Sequence, residues 1–125
     1  MGMPSEGSLA NTTIKRLIRE IPFCKLEDDA AAVKSGIAED WNICVVIDPQ
    51  RIVLGLLELE RIPTTKVPIE DIMKPAPLTL RPSMLIDETI AYFDQSDLTF
   101  ALVTKLTGEL MGAIRKSDLE SYRHE

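Results

Sequence analysis

The hydrophobic pattern contains two short, almost wholly apolar runs, at 43–47 and 101–103. Each is followed by a turn-like sequence and then by a second apolar run that contains a glycine, Gly55 or Gly112. Continuous apolar runs bounded by turn residues are typical of buried strands. The intervening sequences Asp-Pro-Gln-Arg and Lys-Leu-Thr-Gly suit hairpin turns. We therefore predict two β-hairpins, at 45–57 and 102–114.

A segment with helical periodicity precedes each hairpin. In the second copy Ile86, Ile90 and Phe93 follow the i, i+4, i+7 spacing of one helix face, and Pro82-Ser83 supplies a helix start. In the first copy residues 30–37 occupy the same place, after an acidic stretch that suits a first helical turn. Short extended pieces, at 22–26 and 77–80, precede the two helices. Each half of the chain therefore has the pattern β–α–β–β–α.

The two halves are copies of each other. Residues 44–62 align without a gap on residues 101–119, at the offset of 57 that separates Gly55 from Gly112. We expect an α/β fold, more closely an α+β sandwich, with two repeats related by a pseudo-twofold axis. The predicted boundaries are a flexible tail at 1–13, a first repeat at 14–64 and a second repeat at 65–125. Within the first repeat, apolar residues at 14, 17, 18 and 21 predict a short amphipathic helix.

Charge and composition limit the classes of function. The net charge of −6 argues against a nucleic-acid surface, and no apolar run approaches the ~20 residues that span a bilayer. The N-terminus lacks the features of a signal peptide, so we expect a cytoplasmic protein without membrane contact. Cys24 and Cys44 do not form a metal motif, and the only histidine is His124. The usual parts of a hydrolytic catalytic set are missing, and we predict no enzymatic activity.

The second half resembles a CBS domain, the cystathionine-β-synthase type. The resemblance rests on three sequence features: V-x-x-x-D-I-M-x-P at 67–75 (in this chain Val-Pro-Ile-Glu-Asp-Ile-Met-Lys-Pro), T-x-x-P at 79–82, and the exit from Gly112 to Asp118. The first half is similar to a weaker copy. Together they resemble a tandem pair, the Bateman module, and the 125-residue chain leaves room for no further domain, which implies a free-standing module.

The resemblance implies a regulatory sensor of adenosine ligands, namely AMP, ADP, ATP or S-adenosylmethionine, bound in a cleft between the repeats. No cofactor is required, and homodimers are common in the family. In the family the exit carries G-h-h-[ST]-x-x-D, whose Asp binds the ribose hydroxyls. Asp118 matches that residue, whereas Arg115 replaces the usual Ser or Thr. The family pattern gives this set of ligand-binding residues: Asp118, Arg115, Lys116, Ser117, Ile72, Met73 and Thr79.

Arg115 and Lys116 stand where a strand passes into a helix, and cations there oppose the helix dipole. A bound phosphate would supply the missing negative charge, because backbone N–H groups and cations converge at a helix start. A ligand-free explanation fits the same residues: Ser117 as N-cap, Asp118 as a first-turn acid, and solvated cations. Likewise, Ile72 and Met73 suit core packing as well as adenine contact.

The first repeat departs further from the family pattern. Glu58 takes the Ser/Thr place and Arg61 the ribose Asp place. A carboxylate repels phosphate, and a guanidinium cannot accept hydrogen bonds from hydroxyls. We therefore expect at most one nucleotide per chain, at the second repeat. The alternative is a dimeric scaffold that has lost its ligand and binds an unidentified protein partner.

Overall fold

The structure, a computed structural model, describes residues 12–37, 41–75 and 78–123. These residues form two compact units. Of the described residues, the first-repeat unit contains 20–37, 41–75 and 106–110, and the second-repeat unit contains 12–19, 78–105 and 111–123. Each unit thus includes segments from outside its own predicted repeat: 65–75 and 106–110 in the first-repeat unit, and 12–19 in the second-repeat unit. The boundaries of the two sequence repeats, 14–64 and 65–125, remain a prediction.

The first-repeat unit is built on a four-stranded sheet with the order β1-β2-β3-β4. The strands are β1 (Phe23–Cys24), β2 (Ile43–Ile47), β3 (Val53–Glu58) and β4 (Lys74–Pro75). β1 is parallel to β2, and the other pairs are antiparallel. Helix α1 (Ala30–Gly36) and the short helix α2 (Ile69–Ile72) contribute buried Ala30 and Ile69 to a core with Val46 and Leu57.

The second-repeat unit repeats this order with fewer strand residues. Its elements are α3 (Ile86–Ser96), β5 (Phe100–Thr104), β6 (Leu110–Arg115) and α4 (Lys116–Arg123). Leu80 forms a parallel bridge with Val103, and Arg19 an antiparallel bridge with Ala113, where the first-repeat unit has β1 and β4. Of the predicted helix face, Ile86 and Phe93 are buried in its core and Ile90 is partly buried against it; Ile114 of β6 is fully buried in the same core. The predicted α/β fold and the two hairpins are therefore confirmed.

Glycine is required where a crossing segment passes over each second hairpin strand. A Cβ on Gly55 would lie 2.5 Å from the Lys74 carbonyl oxygen, and a Cβ on Gly112 would meet the Arg19 carbonyl oxygen. Gly112 also has φ +148°, in the region that favours glycine. The two glycines that set the sequence alignment therefore have the same physical role in both units.

The hairpin turns differ at the residue that takes positive φ. Gly108 has φ +92° in one turn, and Arg51 has φ +68° at the equivalent place in the other. The Asp48 carboxylate stabilises the Arg51 turn by accepting hydrogen bonds from the N–H groups of Gln50 at 2.8 Å and Ile52 at 2.9 Å. These two hydrogen bonds offset the cost of a positive φ at a non-glycine residue, which is of order 1 kcal/mol.

Several local predictions from the sequence were wrong. The amphipathic helix expected over 14–21 is a 3-10 turn, Ile14–Leu17, because Arg19 bonds to Ala113 through both backbone groups instead of continuing a helix. The helix expected to start at Pro82-Ser83 begins at Ile86, where the Glu88 carboxylate accepts the Leu85 N–H. The helix expected after β3 is only the 3-10 turn Leu59–Arg61.

The predicted ends of the chain are covered only in part. Residues 1–11 of the predicted tail lie outside the described residues, as does residue 77 of the predicted strand at 77–80. Thr12 and Thr13, assigned to the tail, belong to the second-repeat unit: Thr13 bridges Leu85, and the Thr12 carbonyl accepts the Ile86 N–H. The folded part of the chain thus includes Thr12.

Candidate functional site

The predicted ribose acid lies just beyond the end of β6. Strand β6 ends at Arg115 and α4 begins at Lys116, so Asp118 falls in the first helical turn. The Lys116 N–H donates to the Thr99 carbonyl at 2.8 Å, which anchors the helix start to the residue before β5. A carboxylate in a first turn interacts favourably with the positive end of the helix dipole.

Asp118 is held by a bidentate ion pair with Arg19. The Arg19 Nε donates to Asp118 Oδ2 at 2.6 Å and its Nη2 to Oδ1 at 3.0 Å. The Asp118 side chain is 19% exposed and that of Arg19 54%. A carboxylate has about four acceptor sites, and this pair uses two of them. Asp118 therefore retains acceptor capacity on both oxygens, at a position open to solvent.

The other three exit residues, 115–117, directly precede Asp118 in the sequence but have different environments. Arg115 and Lys116 are half-buried and Ser117 is exposed. Because α4 begins at Lys116, Ser117 is its second residue and is not the N-cap that the ligand-free explanation required. Its carbonyl accepts the Ser121 hydroxyl at 3.3 Å, an ordinary contact one helical turn on. The cations therefore stand at the real helix start.

Thr79 belongs to a polar cluster that the sequence did not predict. Arg81 Nη1 donates to the hydroxyls of Thr79 and Thr104, both at 2.9 Å, and the Thr104 hydroxyl lies 3.1 Å from that of Thr79. Thr104 is buried, at the end of β5, and Thr79 and Arg81 flank Leu80, which pairs with that strand. The only sequence signal was the T-L-R-P stretch, in which Arg81 occupied a variable position.

Ile72 and Met73, the predicted adenine contacts, are part of the first-repeat unit. Both pack against its core, and the Met73 N–H donates to the Ile69 carbonyl at 2.9 Å. Packing at that place is the alternative that the sequence left open. The other five predicted residues, Thr79 and 115–118, belong to the second-repeat unit.

The equivalent exit of the first-repeat unit has a different set of charges. Glu58, the last residue of β3, accepts Arg61 Nε at 2.8 Å and Lys74 Nζ at 3.1 Å. The acid here lies at the end of the strand, between two cations, and the turn after it presents Arg61 where α4 presents Asp118. A ribose would meet a donor at this place instead of an acceptor.

The described residues contain neither a metal-ligand group nor a membrane-spanning helix. Within 12–37, 41–75 and 78–123, no three His, Cys, Asp or Glu side chains are grouped as metal ligands would be. Over the same ranges, none of the helices combines the length and the apolar character needed to cross a bilayer.

The fold is similar to solved structures of CBS domain pairs. The CBS domains of a transcriptional regulator from Streptococcus pneumoniae superpose with a TM-score of 0.72 at 16% identity, over 87% of this chain and 97% of the other. CBSX2 in complex with AMP gives 0.74 at 16%, over 90% and 96%.

The CBS domain pair of protein MJ0100, in complex with 5′-methylthioadenosine and S-adenosyl-L-methionine, gives a TM-score of 0.70 at 17% identity, over 90% and 96%. No protein-family model matches the sequence, and no curated protein matches it. At these identities the likeness establishes the fold, and the chemistry of the site has to be argued from its residues.

Proposed function

Because the chain has the fold of a CBS domain pair, we propose that it is a regulatory module that binds an adenosine ligand. The observation that carries the proposal is the likeness over nine-tenths of the chain to pairs solved with AMP and with S-adenosyl-L-methionine. Candidate ligands are AMP, ADP, ATP and S-adenosylmethionine, none of them a required cofactor. We place the module in the cytoplasm and assign it a regulatory role without catalysis.

The proposed ligand uses residues of the second-repeat exit. Asp118 accepts the ribose hydroxyls through the lone pairs that Arg19 leaves unused. Arg115 and Lys116 supply cations for phosphate at the start of α4, and Ser117 adds a hydroxyl on its exposed side. The family resemblance further implies adenine contacts by Thr79 and by Ile72 and Met73, of which only Thr79 belongs to the unit that carries Asp118.

One ligand per chain is proposed, at the second repeat. At the first-repeat exit, Glu58 is a carboxylate where phosphate would approach, and Arg61 offers donors where ribose hydroxyls need acceptors. A homodimer is also proposed, because the family pairs its modules through helices. Light scattering at micromolar concentration should give twice the chain mass of 13.9 kDa, and a stable single-chain mass would contradict the dimer.

A thermal-shift screen tests the proposal directly. A ligand that binds only the folded state adds about 2.7 kcal/mol to the free energy of unfolding at a hundredfold excess over Kd. We expect stabilisation by at least one of AMP, ADP, ATP and S-adenosylmethionine. Free adenine and ribose-5-phosphate serve as controls, since each lacks part of the proposed contacts. No stabilisation by any of the four compounds would refute the adenosine-sensor proposal.

The second candidate function is a ligand-free scaffold for a protein partner. The observation that favours it is the engagement of both Asp118 oxygens by Arg19, since an internal cation already neutralises the proposed ribose acceptor. Exposed Leu106, at 88%, is also available on a hairpin tip. Under this alternative none of the four compounds shifts the melting temperature.

A further inference from the structure

Two cysteines of the first-repeat unit share one face of its sheet. Cys24 in β1 is paired in register with Val46 of β2, and Cys44 lies two residues before Val46 on the same strand. Side chains two residues apart on a strand point to the same face, so Cys44 is a diagonal neighbour of Cys24. Both are free thiols in one buried cluster that also contains Leu57. The fold thus brings together cysteines that are 20 residues apart in sequence.

A surface cleft leads to both thiols. It has a volume of about 260 Å³ and is lined by Phe23, Cys24, Asp28, Val33 and Cys44, among others. The two cysteine residues are only 4% and 1% exposed, so the cleft is the described route by which a small molecule would reach them. A buried cysteine without such a route is normally inert.

The two thiols are not equivalent in acidity. The neighbouring Cys44 thiol lowers the pKa of Cys24, against the opposing effects of burial and of the Asp28 carboxylate. In the structure the Cys44 thiol donates to the Val45 carbonyl, at 4.0 Å. The neighbouring Cys24 thiol, together with burial, raises the pKa of Cys44. Cys24 is therefore the thiol that ionises first, and Cys44 remains protonated while Cys24 is charged. The arrangement is that of a nucleophilic thiol beside a resolving one.

We propose that Cys24 and Cys44 form a redox-active dithiol that low-molecular-weight disulfides convert to an intramolecular disulfide. The Cys24 thiolate attacks one sulfur of the reagent, forming a mixed disulfide and releasing one thiolate. This removes the negative charge on Cys24. Cys44 then loses its proton to solvent, attacks the Cys24 sulfur and releases the second thiolate. Two electrons pass from the protein to the reagent, and the products are one protein disulfide and two small thiols.

Closure of the disulfide requires β1 to move. Diagonal neighbours are further apart than residues directly opposite, and a disulfide tolerates Cα separations only up to about 6.8 Å. β1 can move because it is two residues long and lies at the sheet edge. Its pairing with β2 includes the hydrogen bond from the Val45 N–H to the Pro22 carbonyl, at 2.9 Å. Oxidation should therefore increase amide hydrogen exchange at Val45.

Intact-mass analysis of the whole chain with oxidised glutathione tests the dithiol. The native chain should lose two hydrogens without retaining glutathione, and peptide mapping should place the disulfide between Cys24 and Cys44. Cys44→Ala should retain one glutathione on Cys24, because no thiol resolves the adduct. Cys24→Ala should take up at least tenfold less in the same time. Circular dichroism of each variant confirms that it is folded.

The wild-type chain alone is sufficient to overturn the proposal if a variant does not fold. Retention of glutathione by the wild type without closure would show that Cys44 does not resolve the adduct. Reaction in urea with none under native conditions would show that the cleft does not admit the reagent. A primary adduct on Cys44 in Cys24→Ala, as fast as that on Cys24 in Cys44→Ala, would contradict the assigned order.

Discussion

The exits at the ends of β3 and β6 share a backbone plan and differ in their charges. In each unit a glycine, Gly55 or Gly112, lies beneath the carbonyl of a cation that crosses it, Lys74 or Arg19. At the β6 exit Arg19 pairs with an acid in the first turn of a helix, Asp118. At the β3 exit Lys74 pairs with an acid at the end of the strand itself. The crossing cation is therefore common to both units, and its acidic partner lies in a different place in each.

The strands next to these exits also differ between the units, because one carries a polar cluster where the other carries mainly apolar residues. In the second-repeat unit Thr79, Arg81 and Thr104 form a hydrogen-bonded polar cluster. The equivalent places in the first-repeat unit, judged from the pairing of Leu80 with Val103 and of Cys24 with Val46, are Phe23, Lys25 and Ile47. The Arg51 guanidinium lies 4.8 Å from the centre of the Phe23 ring, and Ile47 is buried.

The comparison separates what the fold needs from what a ligand would need. The crossing glycines occur in both units, so they serve the backbone. The helical acid and the hydroxyl–guanidinium cluster occur in one unit only, so the fold does not require them. Substitutions at the shared glycines should therefore change stability most, and substitution of the unshared acid Asp118 should change binding.

The largest expected effect is the loss of stability on replacing Gly112. In Gly112→Ala the new Cβ meets the Arg19 carbonyl and the Ile18 side chain at a positive φ, which should cost about 2–4 kcal/mol in the free energy of unfolding. Gly55→Ala should cost less, because no positive φ is involved and only its contact with the Lys74 carbonyl is with backbone, whereas the Met73 side chain can shift.

Gly36→Ala is the matched control for both glycines. Apart from its chain neighbours and its own helix backbone, no atom of the described residues lies within 4 Å of its added Cβ, so its unfolding free energy should change by less than about 1 kcal/mol. Urea denaturation measures all three variants. Equal effects of the Gly36 and Gly112 substitutions would show that the crossing segment does not press on β6.

The hairpins were predictable because their signals are local. The apolar runs at 43–47 and 101–103 and the turn residues between strands lie within a few positions of one another. The bidentate pair of Arg19 with Asp118 was not predictable, because its partners are 99 residues apart. Each of the two also has several residues of opposite charge closer to it in the sequence. The 3-10 turn at Ile14–Leu17 was missed for the same reason, because the bonds of Arg19 to Ala113 outweigh the local helical periodicity.

The candidate site was predicted only as far as its motif extends. Asp118 and its helix follow from the spacing after Gly112, although the helix starts one residue before Ser117. Arg81 was missed because its partner Thr104 belongs to a strand 23 residues away. No sequence pattern indicated that Arg51 would adopt positive φ, a conformation usually left to glycine.

Binding should depend on the acid of one exit and not on the cation of the other. Asp118→Ala should weaken AMP and ATP alike by about 10- to 100-fold, since each hydrogen bond to a charged group contributes about 1.5–3 kcal/mol. Arg115→Ala should weaken ATP more than AMP, because lost charge pairing grows with the number of phosphates. Isothermal titration calorimetry measures each affinity.

Two controls accompany the binding series. Glu120→Ala removes an exposed carboxylate from the same helix, and Arg61→Ala changes the equivalent place of the first repeat. Both should leave the affinity within about twofold, which is under ~0.5 kcal/mol. Unchanged nucleotide affinity in Asp118→Ala would eliminate the ribose role, and a loss in Arg61→Ala would move the site to the first repeat.

The polar cluster should contribute to stability at an intermediate level. Thr104→Val keeps the side-chain shape and removes a buried hydroxyl that bonds to Arg81 and Thr79, which should cost about 1–2 kcal/mol of unfolding free energy. Val is also closer to Ile47, the residue at the equivalent place. Exposed Thr65→Val is the control and should change stability by less than about 0.5 kcal/mol. An unchanged melting temperature in Thr104→Val would mean that the cluster does not stabilise the fold.

The smallest expected effect is the coupling within the exit ion pairs. Arg19 is more than half exposed, so the Arg19–Asp118 coupling in a double-mutant cycle to Ala should be at most about 1 kcal/mol despite its bidentate geometry. Glu58–Lys74 has a single contact at 3.1 Å, and its coupling should be about 0.5 kcal/mol or less. Raising the salt concentration should reduce both. Urea denaturation of the two cycles at low and high salt measures the difference.

If Arg19 instead served mainly to hold Asp118 for a ligand, Arg19→Ala would weaken nucleotide binding while changing stability by this small amount. A coupling above about 2 kcal/mol would mark the pair as structural and would favour the ligand-free scaffold.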